Sequence, residues 1–318
     1  MLRYLAVRLS SMLAVLVLVS IGLFALVIAA PGDPVTSMLS PEELGNSQDY
    51  IAQRRHELGL DRPLPLQYVA WAGRVLQGDL GTSFVNQNRP VAHLLLERLG
   101  PTLELMLTAM TFSILLALVL GVTAAARKNK PADYLISTST MLVMSVPAFF
   151  LGMLAIYVFA FRLRWLPSSG MSSPSDGGLV DLLKHLILPA GILAIHGCAG
   201  LIRYVRAGLL EELNADYVRT AVAKGAGPMR ARMHALRNSL LPLITLLMMN
   251  VPELLGGAVI LETLFAWPGM GQLTLAAIGN QDIPLIVGFG LIVTVLVLLS
   301  NLLADLLYRL ADPRVRLR

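Results

Sequence analysis

Apolar residues in this chain come in long uninterrupted blocks, not in the alternations that mark half-buried helices and strands. Six blocks stand out, near residues 9–30, 102–125, 135–161, 186–202, 240–261 and 285–307. A helix that crosses a bilayer needs roughly 20 apolar residues, because the hydrocarbon is about 30 Å thick and each residue rises about 1.5 Å. Each block therefore predicts a transmembrane helix. The fourth is the shortest and carries Gly191, Gly197 and Gly200, which leaves its ends the least defined. The first is too long for the apolar core of a signal peptide, and Pro31 stands where cleavage would fall, so it predicts a retained span.

The polar stretches carry their own pattern. Residues 31–101 form a long segment between the first two blocks. Pro31-Gly32-Asp33-Pro34 stops the first span, since each proline lacks a backbone donor. Residues 48–58 and 64–77 read as helices separated by the turn Leu60-Asp61-Arg62-Pro63, and Gly78-Asp79-Leu80-Gly81 predicts another turn. Residues 90–99 lead amphipathically into the second span. Pro147 falls inside the third block and predicts a kink, either a static bend or a hinge. No internal repeat or low-complexity tract is visible.

Composition confirms lipid as the solvent. Of the 318 residues, 56% are hydrophobic and only 14% charged, against about 25% charged in a soluble domain. The net charge of +5 does not point to nucleic acid, because the basic residues sit between apolar blocks. Arg3 and Arg8 precede the first block. Arg127, Lys128 and Lys130 follow the second. Arg203, Arg206, Arg219, Lys224, Arg230, Arg232 and Arg237 follow the fourth, and Arg309, Arg314, Arg316 and Arg318 close the chain. The alternate short loops hold only Arg162, Arg164 and Lys184. The positive-inside rule then puts both termini in the cytoplasm, and alternation puts residues 31–101 outside. A single cysteine, Cys198, excludes an intrachain disulfide.

Catalytic patterns are missing. No Gly-Lys dipeptide occurs, so there is no Walker A phosphate loop, and no Gly-x-Ser-x-Gly elbow. The five histidines are scattered without metal-ligand spacing. Candidate residues of a translocation path are polar groups inside the spans. Asn250 and Glu253 flank Pro252 in span five, and a carboxylate at membrane depth is a functional candidate or a structural contact to a partner helix. His196 in span four and Pro147 in span three are further path candidates, with packing and a static kink as their plainer readings. Gly256-Gly257 allows close helix packing.

The long basic loop after span four has internal order. Asp216 can cap a new helix. Tyr217, Thr220, Ala221 and Lys224 recur at the spacing of one helical face. Gly225 can end that helix in left-handed geometry, and Pro228 suits the first turn of the next. This face could receive a partner protein, or the loop could be a basic connector near anionic head groups.

The run Asp216-Tyr217-Val218-Arg219-Thr220-Ala221-Val222-Ala223-Lys224-Gly225, with His234-Ala235-Leu236-Arg237-Asn238-Ser239-Leu240-Leu241-Pro242 after it, resembles the "EAA" loop of binding-protein-dependent ABC importer permeases. In particular it resembles the first-permease form of the dipeptide, oligopeptide and nickel branch. Pro31-Gly32-Asp33-Pro34, Leu58-Gly59-Leu60-Asp61-Arg62-Pro63, Gly78-Asp79-Leu80-Gly81-Thr82-Ser83, Phe265-Ala266-Trp267-Pro268-Gly269-Met270-Gly271 and Asp312-Pro313-Arg314 agree with it in order. Arg219 stands where the general motif has Glu, and the distance from Gly225 to Pro242 is longer than in sugar and amino-acid permeases. Both departures are similar to what this branch shows.

The resemblance implies an all-α integral membrane protein with six transmembrane helices and the type I ABC importer transmembrane domain. Residues 1–30 would be an N-terminal span, 31–101 an extracytoplasmic segment, 102–309 the five-helix core with its coupling loop at about 203–240, and 310–318 a cytoplasmic tail. It implies that Asp216, Tyr217, Thr220, Ala221, Lys224 and Gly225 form the ATPase-coupling helix. The implied partners are a homologous second permease, two ATPase subunits, an extracytoplasmic solute-binding protein and membrane lipid. ATP and Mg²⁺ would be bound by the ATPase subunits, with no cofactor and no catalysis on this chain. The implied cargo is a di- or oligopeptide, glutathione, an opine or a nickel chelate, and the implied location is the bacterial inner membrane. The competing expectation is a self-sufficient secondary transporter, which calls for paired ionisable groups at midplane and often an inverted repeat. Glu253 alone supports it.

Overall fold

Eleven helices follow one another in the computed structural model, which describes residues 2–29, 61–86, 89–174, 177–239 and 241–311; no named strand occurs among them. They are α1 (Leu2–Ala29), α2 (Leu64–Leu76), α3 (Val91–Ala126), α4 (Pro131–Ser145), α5 (Ala148–Ala155) continued by a π-helical turn (Ile156–Arg162), α6 (Leu179–Leu213), α7 (Asp216–Ala223), α8 (Pro228–Ser239), α9 (Leu241–Leu264), α10 (Met270–Gly279) and α11 (Ile283–Ala311). The helix and turn read from residues 48–58 and 31–34, and the closing Asp312-Pro313-Arg314, lie outside the described residues.

Local chemistry explains most boundaries. Proline opens α4 and α8, where its missing N–H would have no intrahelical partner anyway. α4 stops because Val146 precedes Pro147 and is driven to extended geometry, φ −106° and ψ 127°. Across that break the axes of α4 and the following helix differ by 101°. The third predicted span is therefore no gently kinked rod. It is two short helices at a right angle, because Pro147 removes one hydrogen bond and also denies Val146 the helical conformation.

Four helices among the described residues are long and apolar enough to cross a membrane alone, and the bent pair would make five. α9, 24 residues long, occupies the place of the fifth predicted block. The fourth block, read as 186–202, is only the middle of α6, which runs 35 residues from Leu179 to Leu213. Hydropathy caught its apolar centre and missed both polar ends, where helix geometry continues.

The chain divides into two compact units, residues 1–99 with 273–296, and residues 100–272 with 297–318. In the first unit, α1 packs on α2 through Phe24, Tyr68 and Trp71, with ring centroids 5.5–6.0 Å apart, and the Ser20 and Tyr68 hydroxyls are hydrogen-bonded at 2.8 Å. The turn between α2 and α3 is tied to the start of α11, where the Ser83 hydroxyl donates to the buried Asp282 carboxylate. In the second unit, α6 is the central element and packs against α4, α5, α8 and α9. Its core with α3 and α9 is built from Ala117, Cys198, Leu201, Ile202, Val205 and Leu243.

Candidate coupling site

The predicted loop helix exists as α7, and its ends are set by backbone chemistry. Lys224 closes the helix and Gly225 follows at φ +88°. The Gly225 N–H donates to the Val222 carbonyl at 2.9 Å, and the Ala226 N–H to that of Ala221 at 3.0 Å. Those two bonds are the Schellman pattern, in which a left-handed residue turns the chain back onto its last carbonyls. Glycine suits it because it has no Cβ to clash. Pro228 then opens α8.

The start of α7 differs from the expectation. Ala215, not Asp216, is the capping position, and no side chain caps the helix. Asp216 is the first helical residue, its side chain 98% exposed and 3.6 Å from Arg219. Its charge still lies at the positive end of the helix dipole, but it does not satisfy the first amides.

One residue buries the helix. Val218 is 4% exposed and packs with Ala125 of α3, Leu209 of α6, and Ala231 and Ala235 of α8. Small alanines on α8 let α7 approach closely. The predicted face points away from this cluster. Tyr217, Thr220 and Lys224 are exposed, as are Arg219 and Val222, while Ala221 is half-buried. Thr220 returns its hydroxyl to the Asp216 carbonyl at 2.8 Å. Tyr217 is 39% exposed, and its hydroxyl turns back to α6 and donates to Glu212 at 2.5 Å. Partial burial, and then the bond to Glu212, raise the phenol pKa above its ordinary value, so it keeps its proton at neutral pH.

The path candidates lie apart from α7. Pro147 stands at the α4–α5 break, His196 is half-buried on α6 and Asn250 half-buried on α9, three helices that pack on one another. Glu253 is on α9, and its side chain lies outside the described residues. Among the described residues, no group of three or more His, Cys, Asp or Glu could hold a metal ion.

Two polar clusters were not anticipated. Asp133, in the first turn of α4, is buried and meets Arg206 of α6 in a two-pronged pair, Nε to Oδ1 at 2.6 Å and Nη2 to Oδ2 at 2.7 Å. Glu262, near the end of α9, is 0% exposed. It accepts from the Thr102 hydroxyl at 2.6 Å and from the N–H groups of Gly271 and Gln272 at 2.7 and 3.1 Å. Thr102 in turn accepts from the Met270 N–H at 2.8 Å. The first amides of α10 are thus capped by side chains from α9 and α3. A Cβ on Gly269 would stand 2.2 Å from the Glu262 carboxyl carbon, and one on Gly271 2.4 Å from the Val259 Cα. The Trp267 indole closes the loop by donating to the Pro101 carbonyl at 2.8 Å. This accounts for the Phe265–Gly271 sequence: its glycines make room for the carboxylate. The sequence signal is a lone Glu three residues before that motif, at the end of an apolar block.

Residues 117–317 match the family described as "binding-protein-dependent transport system inner membrane component", and residues 1–108 match its N-terminal counterpart. The oligopeptide transport system permease protein AppB of Bacillus subtilis is 38% identical over 99% of each chain. The di/tripeptide transport system permease protein DppB of Pseudomonas aeruginosa is also 38% identical over 99% of each. The glutathione transport system permease protein GsiC of Salmonella paratyphi A is 35% identical, again over 99% of each. Among solved structures, an inward-facing MetNI methionine ABC transporter shares the fold, with a TM-score of 0.56 at 20% identity over 69% of this chain and 96% of that one. The chain belongs to the binding-protein-dependent inner membrane component family and is an all-helical, multi-pass permease subunit of an ABC importer.

Proposed function

We propose that this permease carries di- or oligopeptides, or a small peptide-like solute such as glutathione, into the cytoplasm, and that α7 is where a separate ATPase drives it. Relatives named for oligopeptide, di/tripeptide and glutathione transport support the cargo class, since all three solutes share peptide amides and charged ends. The observation that carries the mechanism is the build of α7. It is a short helix with one buried anchor, a firm glycine stop and an otherwise open face. Such a helix can seat in a cleft of another protein without unfolding its own support.

On this reading the chain pairs with a homologous permease, two ATPase subunits that bind ATP and Mg²⁺, and a solute-binding protein docked on the outer face. The arginine-rich loops hold both termini in the cytoplasm, six spans cross the membrane, and residues 31–101 contribute to the outer dock. ATP-driven closure draws two α7 helices together and rocks the spans between inward- and outward-open states. The loaded binding protein biases that equilibrium through its different affinity for the two states. Asn250, Glu253, His196 and Pro147 remain the proposed path residues.

The test is reconstitution with the cognate partners. Labelled dipeptide, tripeptide and glutathione should enter proteoliposomes only with ATP and the binding protein. Gly225→Trp should abolish uptake while the chain remains folded. ATP-independent uptake driven by a proton gradient, or failure of ATPase subunits to co-purify, would overturn the importer mechanism in favour of a secondary transporter.

A further inference from the structure

α7 is held by two contacts of different physical kind. The Val218 contact is apolar and non-directional, so it resists separation but permits sliding and rotation. The Tyr217 hydroxyl is directional. It donates to Glu212 at 2.5 Å in the last turn of α6. A hydrogen bond to a charged group holds its geometry more strictly than a neutral one. Tyr217 therefore fixes the orientation of α7 relative to α6.

The helix on the receiving side of that bond is built to pass movement on. α6 runs unbroken from Leu179 to Leu213, with Pro189 inside it. Glu212 stands six residue steps beyond Arg206, about 9 Å along the helix. At Arg206 the two-pronged bond to buried Asp133 fastens α6 to the first turn of α4. Asp133 also accepts from the Asn129 N–H at 3.0 Å, so the loop entering α4 is held at the same point. α4 leads directly to the 101° break at Pro147. Two directional polar fastenings on one rigid helix thus join α7 to the bent segment.

We propose that Tyr217 is a positioning residue for transport: its hydroxyl, held by Glu212, locks α7 to α6, and the Arg206–Asp133 pair carries the resulting movement of α6 into α4. This rests on the reading of α7 as the ATPase-docking helix. The aromatic ring of Tyr217 serves the exposed docking face of α7, and the hydroxyl serves transmission. The two roles are separable because Phe keeps the first and lacks the second.

The experiment uses the full transporter in proteoliposomes and reads uptake per ATP hydrolysed, together with the yield of co-purified ATPase. For Tyr217→Phe the ATPase should co-purify at the wild-type yield, while uptake per ATP falls about fivefold or more. Glu212→Gln keeps an acceptor and should retain coupling, whereas Glu212→Leu should match Tyr217→Phe. The double variant Tyr217→Phe/Glu212→Leu should be no worse than either single change, since both remove one interaction. Arg206→Lys, which keeps the charge and loses the two-pronged geometry, should lower the same ratio.

Wild-type coupling in both Tyr217→Phe and Glu212→Leu would overturn the inference. So would loss of ATPase capture by Tyr217→Phe, which would make the hydroxyl a docking group. If the wild-type complex itself captures no ATPase, the importer mechanism fails instead, so the two failures are distinct. Because Glu212→Gln and Glu212→Leu differ in one acceptor at an exposed contact, their contrast remains readable even if an Asp133 or Arg206 variant folds poorly.

Discussion

The Glu262 clamp and the α7 helix are both built from a helix end, a glycine and a proline, yet they are opposite kinds of structure. At the clamp, a fully buried carboxylate satisfies the first amides of α10, and two glycines are cut to its shape. Nothing there can shift without stranding a buried donor. At α7, one valine is buried, no side chain caps the helix and most side chains face outward. Burying hydrogen-bonded polar groups fixes geometry, because every displacement exposes an unsatisfied group in a low-dielectric surrounding. A single apolar anchor fixes location, and the orientation of α7 rests on one exposed bond, from the Tyr217 hydroxyl to Glu212. The first region suits a static brace and the second a movable lever.

That contrast breaks most visibly at Glu262. Glu262→Ala leaves the Gly271 and Gln272 N–H groups and the Thr102 hydroxyl without their acceptor, which should destabilise the protein by about 3–5 kcal/mol. A fall in folded yield and a large drop in melting temperature in detergent would show it, and a near-native melt would refute the brace. Gly269→Ala should come next, at about 1–3 kcal/mol, because a Cβ 2.2 Å from the Glu262 carboxyl forces the loop outward. Val218→Ala should cost about 1–2 kcal/mol locally. Hydrogen exchange should quicken in α7 and its neighbours while the global melt stays near native. Asp216→Ala should leave the melting temperature unchanged, since the side chain caps nothing; a clear drop would restore the capping role. The smallest effect concerns pH. The Tyr217 pKa is raised, so the tether's contribution is complete below the ordinary phenol range and is lost only as pH rises through the higher folded value. The ratio of Tyr217→Phe to wild-type coupling should therefore stay flat from about pH 6 to about pH 8.

The lever was far more legible in the sequence than the brace. α7, its Gly225 stop and the Pro228 restart follow from rules that act within a few residues, and structure agrees with each. The cap failed because Asp216 could sit at either side of the helix start, and one residue of phase decides it. The right-angle break at Pro147 was foreseen as a kink, since local rules give the site of a break but packing sets its angle. The fourth block is shorter than α6 because hydropathy follows unbroken apolar runs, whereas α6 continues at both ends with charged and polar residues among its apolar ones.

Alone, the sequence determined the apolar blocks, the charge asymmetry of the loops, the helix stops and the family. All of these depend on residue type and near neighbours. Only the tertiary structure decided which polar groups meet: Thr102 with Glu262 at a separation of 160 residues, Arg206 with Asp133 at 73, and the Tyr217 hydroxyl with Glu212 across the bend from α6 to α7. A carboxylate in an apolar helix looks the same in sequence whether it lines a path or caps a distant helix. The donors that distinguish the two arrive only when the chain folds back on itself.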